Sequence, residues 1–144
     1  MTMHKVPLPK KYQSVSRTLR VRRSAAGLGL FTEEPIEADG FVVEYSGPVL
    51  RASDIRGLQN RYLFQTNPRR FVDGRPRWNL ARYINHACSP NCEVRILRGR
   101  ILIFSICQIG AGAELGYDYG EEYFREFIAP YGCLCSSCRV AASA

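Results

Sequence analysis

Apolar residues along this chain come in short runs, each broken by Gly, Pro, Asn or Asp. The stretch "FVVEYSG" (Phe41 to Gly47) joins β-branched and aromatic residues and stops at a turn, the texture of a strand. "RYLFQT" and "RRFVDG" predict two further strands, parted by Asn67-Pro68. The clearest hairpin is "EVRILRGRILIFSI", where Val94, Ile96, Ile101 and Ile103 alternate with other residues about an Arg98-Gly99 turn. Helical spacing is sparser. "SDIRGLQNRY" predicts a short helix capped by Ser53. "RWNLARYINH" sets Leu80, Tyr83 and Ile84 on one helical face, and "EEYFREFIA" does the same with Tyr123, Phe124 and Phe127. The sum is mainly β with short helices. Strands and helices do not alternate, which argues against a doubly wound dinucleotide-binding fold. "GLGLF" (Gly27 to Phe31) therefore opens no nucleotide-binding helix; it is either a turn needing positive φ or a place where backbone approaches a ligand.

The chain has 144 residues, 46% of them hydrophobic, which suits one domain with a packed core. No apolar run approaches the ~20 residues of a membrane helix, and the N-terminus holds no segment like a secretory signal. The expectation is a soluble, non-secreted protein that does not enter membranes. Residues 1–17 are basic, contain Pro7 and Pro9, and read as a loose arm. Net charge is +7, from 20 Lys and Arg against 13 Asp and Glu. The positive residues concentrate in "KVPLPKKYQSVSRTLRVRRS" and in "NPRRFVDGRPRW", where Arg suits bidentate contacts to carboxylate or phosphate. Arginines interleaved with Tyr62, Phe64, Phe71 and Trp78 leave a basic nucleic-acid-binding module as an alternative function.

Three of the six cysteines, Cys133, Cys135 and Cys138, sit within six residues of one another. Cys133 and Cys135 are too close for an unstrained bridge, and no secretion signal argues for disulfides. Thiolate ligation of a metal is the better reading. A redox pair at "CSSC" is the competing one, but no helix follows it to lower a thiol pKa.

The densest chemistry lies in "NLARYINHACSPNCEV", Asn79 to Val94. Together with "GLGLF", "EYSG" at 44–47, "ELGYDYG" at 114–120 and the Cys-x-Cys-x-x-Cys tail, it forms an ordered set. In that order and spacing the chain resembles the SET-domain protein lysine methyltransferases, over about residues 18–139. The resemblance implies small β-sheets around a pseudoknot. It divides the chain into an arm (1–17), a core (18–120) and a C-terminal helix with a cysteine-rich post-SET tail (121–144). It implies S-adenosylmethionine as methyl donor, with Gly27, Leu28 and Gly29 against its methionine portion. Arg82, Asn85 and His86 would contact it too, and Leu134 would lie near its adenine. Tyr119 would carry the catalytic hydroxyl beside the cofactor, Tyr45 would help line both sites, and Tyr117 would influence how many methyls are added. A hydroxyl at Tyr117 argues for mono- or dimethylation. One zinc ion would be held by Cys88, Cys133, Cys135 and Cys138. Cys92 is an alternative fourth ligand, although a small buried hydrophobe suits it better.

This sequence departs from the family pattern in places. The last two tail cysteines are parted by two residues instead of four. Ala87 stands where Ser usually follows Asn-His, and Trp78 where a small residue often stands. No cysteine precedes Cys88, so a cysteine-rich pre-SET region has no counterpart.

The residue types suit the chemistry. Methyl transfer from a sulfonium is an in-line displacement, so alignment is the main task. The acceptor lysine, with a pKa of about 10.4 in water, must shed its proton first. An apolar channel and a nearby positive charge both disfavour the ammonium. Tyrosines can build that channel, each giving an apolar ring and a hydroxyl tip. The expected partner is a protein bearing a target lysine, a histone tail or another basic protein, with nucleic-acid contact through the basic arm. A non-catalytic SET-like scaffold is the remaining alternative. The compartment follows the source: nuclear in a eukaryote, cytoplasmic or host-delivered for a bacterium.

Overall fold

Arg98 and Gly99 turn the chain between Leu97 and Arg100 with φ of 50° and 75°. Two successive positive φ values match the twist of the flanking strands, so the expected hairpin forms with the expected turn. The computed structural model describes residues 18–55 and 61–138. The predicted basic arm (1–17) and residues 139–144 lie outside them.

Among the described residues the strands are β1 Leu19–Ser24, β2 Gly27–Thr32, β3 Phe41–Tyr45, β4 Val49–Arg51, β5 Leu63–Asn67, β6 Arg70–Asp73, β7 Asn85–His86, β8 Cys92–Leu97, β9 Arg100–Ser105 and β10 Gly116–Tyr117. They form four small sheets: β1-β2, β3-β9-β8, β4-β6-β5 and β7-β10. β9 is central in its sheet and buried on both faces. Ile101 and Ile103 enter the main core with Leu30, Ile36, Ile84 and Leu115, while Leu102 and Phe104 pack with Phe41 on the other side. That second cluster is roofed by the Arg95 guanidinium, 4.2 Å from the Phe104 ring centre. Ile96, at the end of edge strand β8, remains exposed.

β7 and β10 run parallel and are only two residues long each. Asn91 extends the link: its Nδ2 donates to the Glu114 carbonyl (2.9 Å), and its Oδ1 accepts from the Gly116 N–H (2.9 Å). Leu115 in turn donates to the Leu30 carbonyl at 2.8 Å. Residues 85–91 are thus laced to 114–117, and those to β2. This knot explains why the helix predicted over "RWNLARYINH" shrinks to one 3-10 turn, Leu80–Tyr83. Ile84 is already extended, because Asn85 and His86 take backbone partners from a distant strand. The helix predicted from Ser53 begins at Ala52 as a 3-10 turn ending at Ile55; Ser53 lies inside it, and 56–60 lie outside the described residues. The helix predicted over "EEYFREFIA" is present as one α turn, Glu121–Tyr123, continuing as a π-helical turn over Phe124–Ile128.

Gly47 joins β3 to β4 where the chain passes the backbone of β6. A Cβ there would lie 1.8 Å from the Asp73 carbonyl oxygen. Backbone cannot swing aside as a side-chain tip can. Gly47→Ala should therefore cost roughly 2–3 kcal/mol of stability, within the usual range for overpacking. Denaturant unfolding would measure it, and a wild-type midpoint would contradict the contact.

Candidate active site

The knot brings the end of "RYINH" against the end of "ELGYDY". The Tyr119 N–H donates to His86 Nδ1 at 3.1 Å, and the Tyr119 hydroxyl donates to the Ile84 carbonyl. The Tyr119 ring packs on Tyr117 (centres 4.9 Å apart), edge-on against Tyr123 (4.9 Å) and against His86 (5.5 Å). Because Nδ1 accepts a backbone proton, His86 is held as the neutral tautomer, and burial lowers its pKa in the same direction.

Two cavities meet at this aromatic group. One, about 270 Å³, is walled by Tyr45, Leu63, Phe64, Ala81, Tyr117 and Glu122. The other, about 300 Å³, is walled by Ala26, Asn85, His86, Phe127, Tyr131 and Leu134, among others. Arg61, Tyr62, Arg82, Tyr119 and Tyr123 line both. A smaller space of about 130 Å³ continues from Asn85 and His86 toward Ser24, Glu114 and Leu134.

The Asn85 amide is fixed by its surroundings. Its Nδ2 faces the Leu28 carbonyl at 2.8 Å, Glu114 Oε2 at 3.0 Å and Ser24 Oγ at 3.2 Å. Its oxygen is left as the group to offer a ligand. An added Cβ at Gly29 would lie 2.4 Å from Glu114 Oε2, so a larger residue there would displace the carboxylate that faces Asn85. Of the residues in "GLGLF", Gly27 supplies the positive φ (104°) after the turn, and Leu28 supplies a carbonyl to Asn85. Neither they nor Gly29 line the described cavities; Ala26 does so instead. Tyr45 belongs to the first cavity, not the second, and its hydroxyl donates to the Tyr62 carbonyl at 2.7 Å. Arg82 stacks 4.5 Å from the Tyr62 ring centre and donates to the Arg75 carbonyl.

Burial raises the pKa of Tyr45, Tyr117 and Tyr119, with the neighbouring phenols adding to the shift. All three therefore stay protonated where a lysine substrate would titrate. Their protons are held more tightly in the folded than in the unfolded chain. The stability they contribute is complete below the ordinary tyrosine range near pH 10 and is lost as pH rises past it. Ultraviolet difference absorbance during an alkaline titration should show their tyrosinate signal only together with cooperative unfolding. Smooth ionisation of all eight tyrosines near pH 10 in a folded protein would contradict this.

Cys88, Cys133, Cys135 and Cys138 converge, with all four Sγ atoms within 4.8 Å of one another. Cys88 Sγ lies 3.9 Å from that of Cys133 and 3.6 Å from that of Cys138. Four sulfurs on a tetrahedral zinc at 2.3 Å stand about 3.8 Å apart, so the tetrad fits that ion despite its short spacing. Cys92 is 1% exposed in the main core and lies outside this group of four.

Comparison with known proteins agrees with this geometry. The pattern that defines the SET domain matches residues 27–120. The chain belongs to the SET-domain family. It is 35% identical to the histone-lysine N-methyltransferase, H3 lysine-4 specific, of Aspergillus fumigatus, over 84% of this chain and 11% of that protein. It is 39% identical to the histone-lysine N-methyltransferase trr of Drosophila melanogaster, over 82% of this chain and 5% of that protein. A crystal structure of KRYPTONITE in complex with mCHH DNA, H3(1-15) peptide and SAH superposes with a TM-score of 0.69. It is 33% identical, over 78% of this chain and 25% of that one. The chain thus spans about a tenth or less of the length of these curated relatives. Within the SET domain, Arg61, Tyr62, Tyr123 and Glu114 shape the site yet escape sequence reasoning. Arg61 and Tyr62 open "RYLFQT", which reads as an ordinary strand, and Glu114 joins the site through distant partners, Asn85 and Gly29.

Proposed function

We propose that this chain is the catalytic domain of a protein-lysine N-methyltransferase using S-adenosylmethionine. The observation that carries the proposal is the pair of cavities sharing one wall at Tyr119. The larger cavity suits the methyl donor: two guanidiniums, Arg61 and Arg82, face it for a carboxylate, and among the described residues no acidic side chain lines it. Phe127, Ile128, Tyr131 and Leu134 give it an apolar wall for a purine. When bound there, S-adenosylmethionine supplies a methyl group on a sulfonium. The chain does the rest. The tyrosine-lined cavity favours a neutral lysine amine by excluding water. The Tyr119 proton is committed to the Ile84 carbonyl, so its oxygen presents lone pairs to align the amine. Burial raises the Tyr119 pKa, which favours the phenol over tyrosinate, and the work is positioning.

A basic tail is the proposed substrate. In a chain of net charge +7, Asp118, Glu121, Glu122 and Glu126 cluster just after the channel, and Glu122 lines it. The relatives named as histone-lysine methyltransferases, and the neighbour solved with an H3 peptide, favour a histone tail. A histone substrate would put the work in the nucleus of a eukaryotic cell. Tyr117, 6% exposed and against Tyr119, supports mono- or dimethylation, because its hydroxyl crowds the turning of a methylated amine. Labelled methyl transfer to an H3 N-terminal peptide and to whole histones tests the reading. Transfer inhibited by S-adenosylhomocysteine is expected. No incorporation into any protein acceptor would overturn the function, and efficient trimethylation would overturn the multiplicity.

A further inference from the structure

Two hairpin turns from different sheets meet on a side of the molecule that the cavities do not use. The β5-β6 turn carries Arg69 and Arg70, and the β8-β9 turn carries Arg98 and Gly99. The Arg70 guanidinium lies over Gly99, with its terminal nitrogen 3.0 Å from where a Cβ would stand. β4 adds Arg51, directly opposite Arg70 in the antiparallel register. Like charges placed opposite each other across strands are destabilising, so the arrangement asks for an anion. The Nε of Arg70 is also buried without a hydrogen-bond acceptor among the described residues.

The nearby acids do not cancel this charge. Glu44 is committed bidentately to Arg100, at 2.7 and 2.9 Å. Asp54, which accepts from the Arg51 backbone N–H, sets one negative charge against four arginines. Arg51, Arg69 and Arg98 are exposed. We infer that this arginine face, Arg51, Arg69, Arg70 and Arg98, binds the phosphodiester backbone of duplex nucleic acid. Planar guanidiniums match phosphate oxygens bidentately. Among the described residues, none of the large exposed apolar side chains belongs to either turn, so the patch shows no apolar anchor of the kind a protein interface is usually built on. The inference stands independently of the methyl-transfer reading, since no residue of the patch lines either cavity.

Fluorescence anisotropy of the full chain with a short random-sequence duplex, across a range of salt, tests it. Each phosphate contact contributes about 0.9 to the slope of log affinity against log salt. Arg69→Gln/Arg98→Gln alters exposed positions only and should lower that slope by about 2, weakening binding roughly tenfold or more at low salt. Thermal melting of the same variant should match wild type. An unchanged slope in the double variant would overturn the proposal, as would no duplex binding by wild type at low salt. Displacement of the duplex by polyglutamate as readily as by unlabelled duplex would also overturn it, in favour of an acidic protein partner.

Discussion

Phenylalanine at position 119 should lower methyl transfer by roughly two to three orders of magnitude, the usual cost of removing one aligned polar group from a water-excluded site. The cofactor's affinity should change little, because Asn85, His86 and Arg82 remain and the aromatic ring is kept. Some stability goes as well. The hydroxyl donates to the Ile84 carbonyl, and leaving that acceptor unpaired costs about 1–3 kcal/mol if no water replaces it. The ring contacts with Tyr117, Tyr123 and His86 survive the substitution. The decisive comparison is with Tyr117→Phe, which strips the adjacent hydroxyl. That variant should retain the first methylation and progress further toward trimethyl product. Single-turnover kinetics with mass spectrometry separates the two cases. Equal rates for Tyr119→Phe and wild type would remove Tyr119 from the chemistry.

The contrast between these two neighbours bears on how much of the site the sequence discloses. Tyr117, Tyr119, Asn85, His86 and Cys88 stand out because their spacing is local, within "ELGYDYG" and "RYINHAC", and the fold brings those two segments together. The Arg98-Gly99 hairpin is legible for a similar reason: two residues at positive φ are a local demand. What escapes is set by distant partners. The Leu80–Ile84 spacing is helical, yet parallel pairing of Asn85 and His86 with Gly116 and Tyr117 overrides it. Asn79 precedes the Leu80–Tyr83 turn, and its side chain makes no capping bond there. It is 1% exposed and ties the Gly74 carbonyl to the Ser46 N–H instead. The packing of the Glu114 carboxylate over Gly29 is likewise a contact between distant residues that the short pattern does not disclose. Each miss has one cause: a contact between residues far apart in sequence decides what a short pattern leaves open.

The same long-range logic makes Cys88→Ala the most disruptive single change in the tail. Cys88 lies beside the knot, two residues beyond His86, and the other three thiols come from residues 133–138. Its loss leaves three ligands within six residues, too few for a closed tetrahedral site. Zinc content should fall from about one ion per chain toward none, read by elemental analysis of protein purified without chelator. The second consequence reaches the larger cavity. Cys133, Leu134 and Cys135 wall it, so releasing the tail opens one side to water. S-adenosylmethionine should bind at least tenfold more weakly by calorimetry, equivalent to about 1.4 kcal/mol. Cys92→Ala is the control, since it removes a core thiol that lies outside the tetrad. It should cost about 1 kcal/mol of stability and keep both zinc and cofactor affinity. Undiminished zinc in Cys88→Ala, or none in wild type, would break the link between tail and pocket. Loss of cofactor affinity in both variants alike would assign the effect to general destabilisation. Loss in Cys88→Ala alone makes the metal a strut of the methyl-donor pocket, coupling residues 45 positions apart through a single ion.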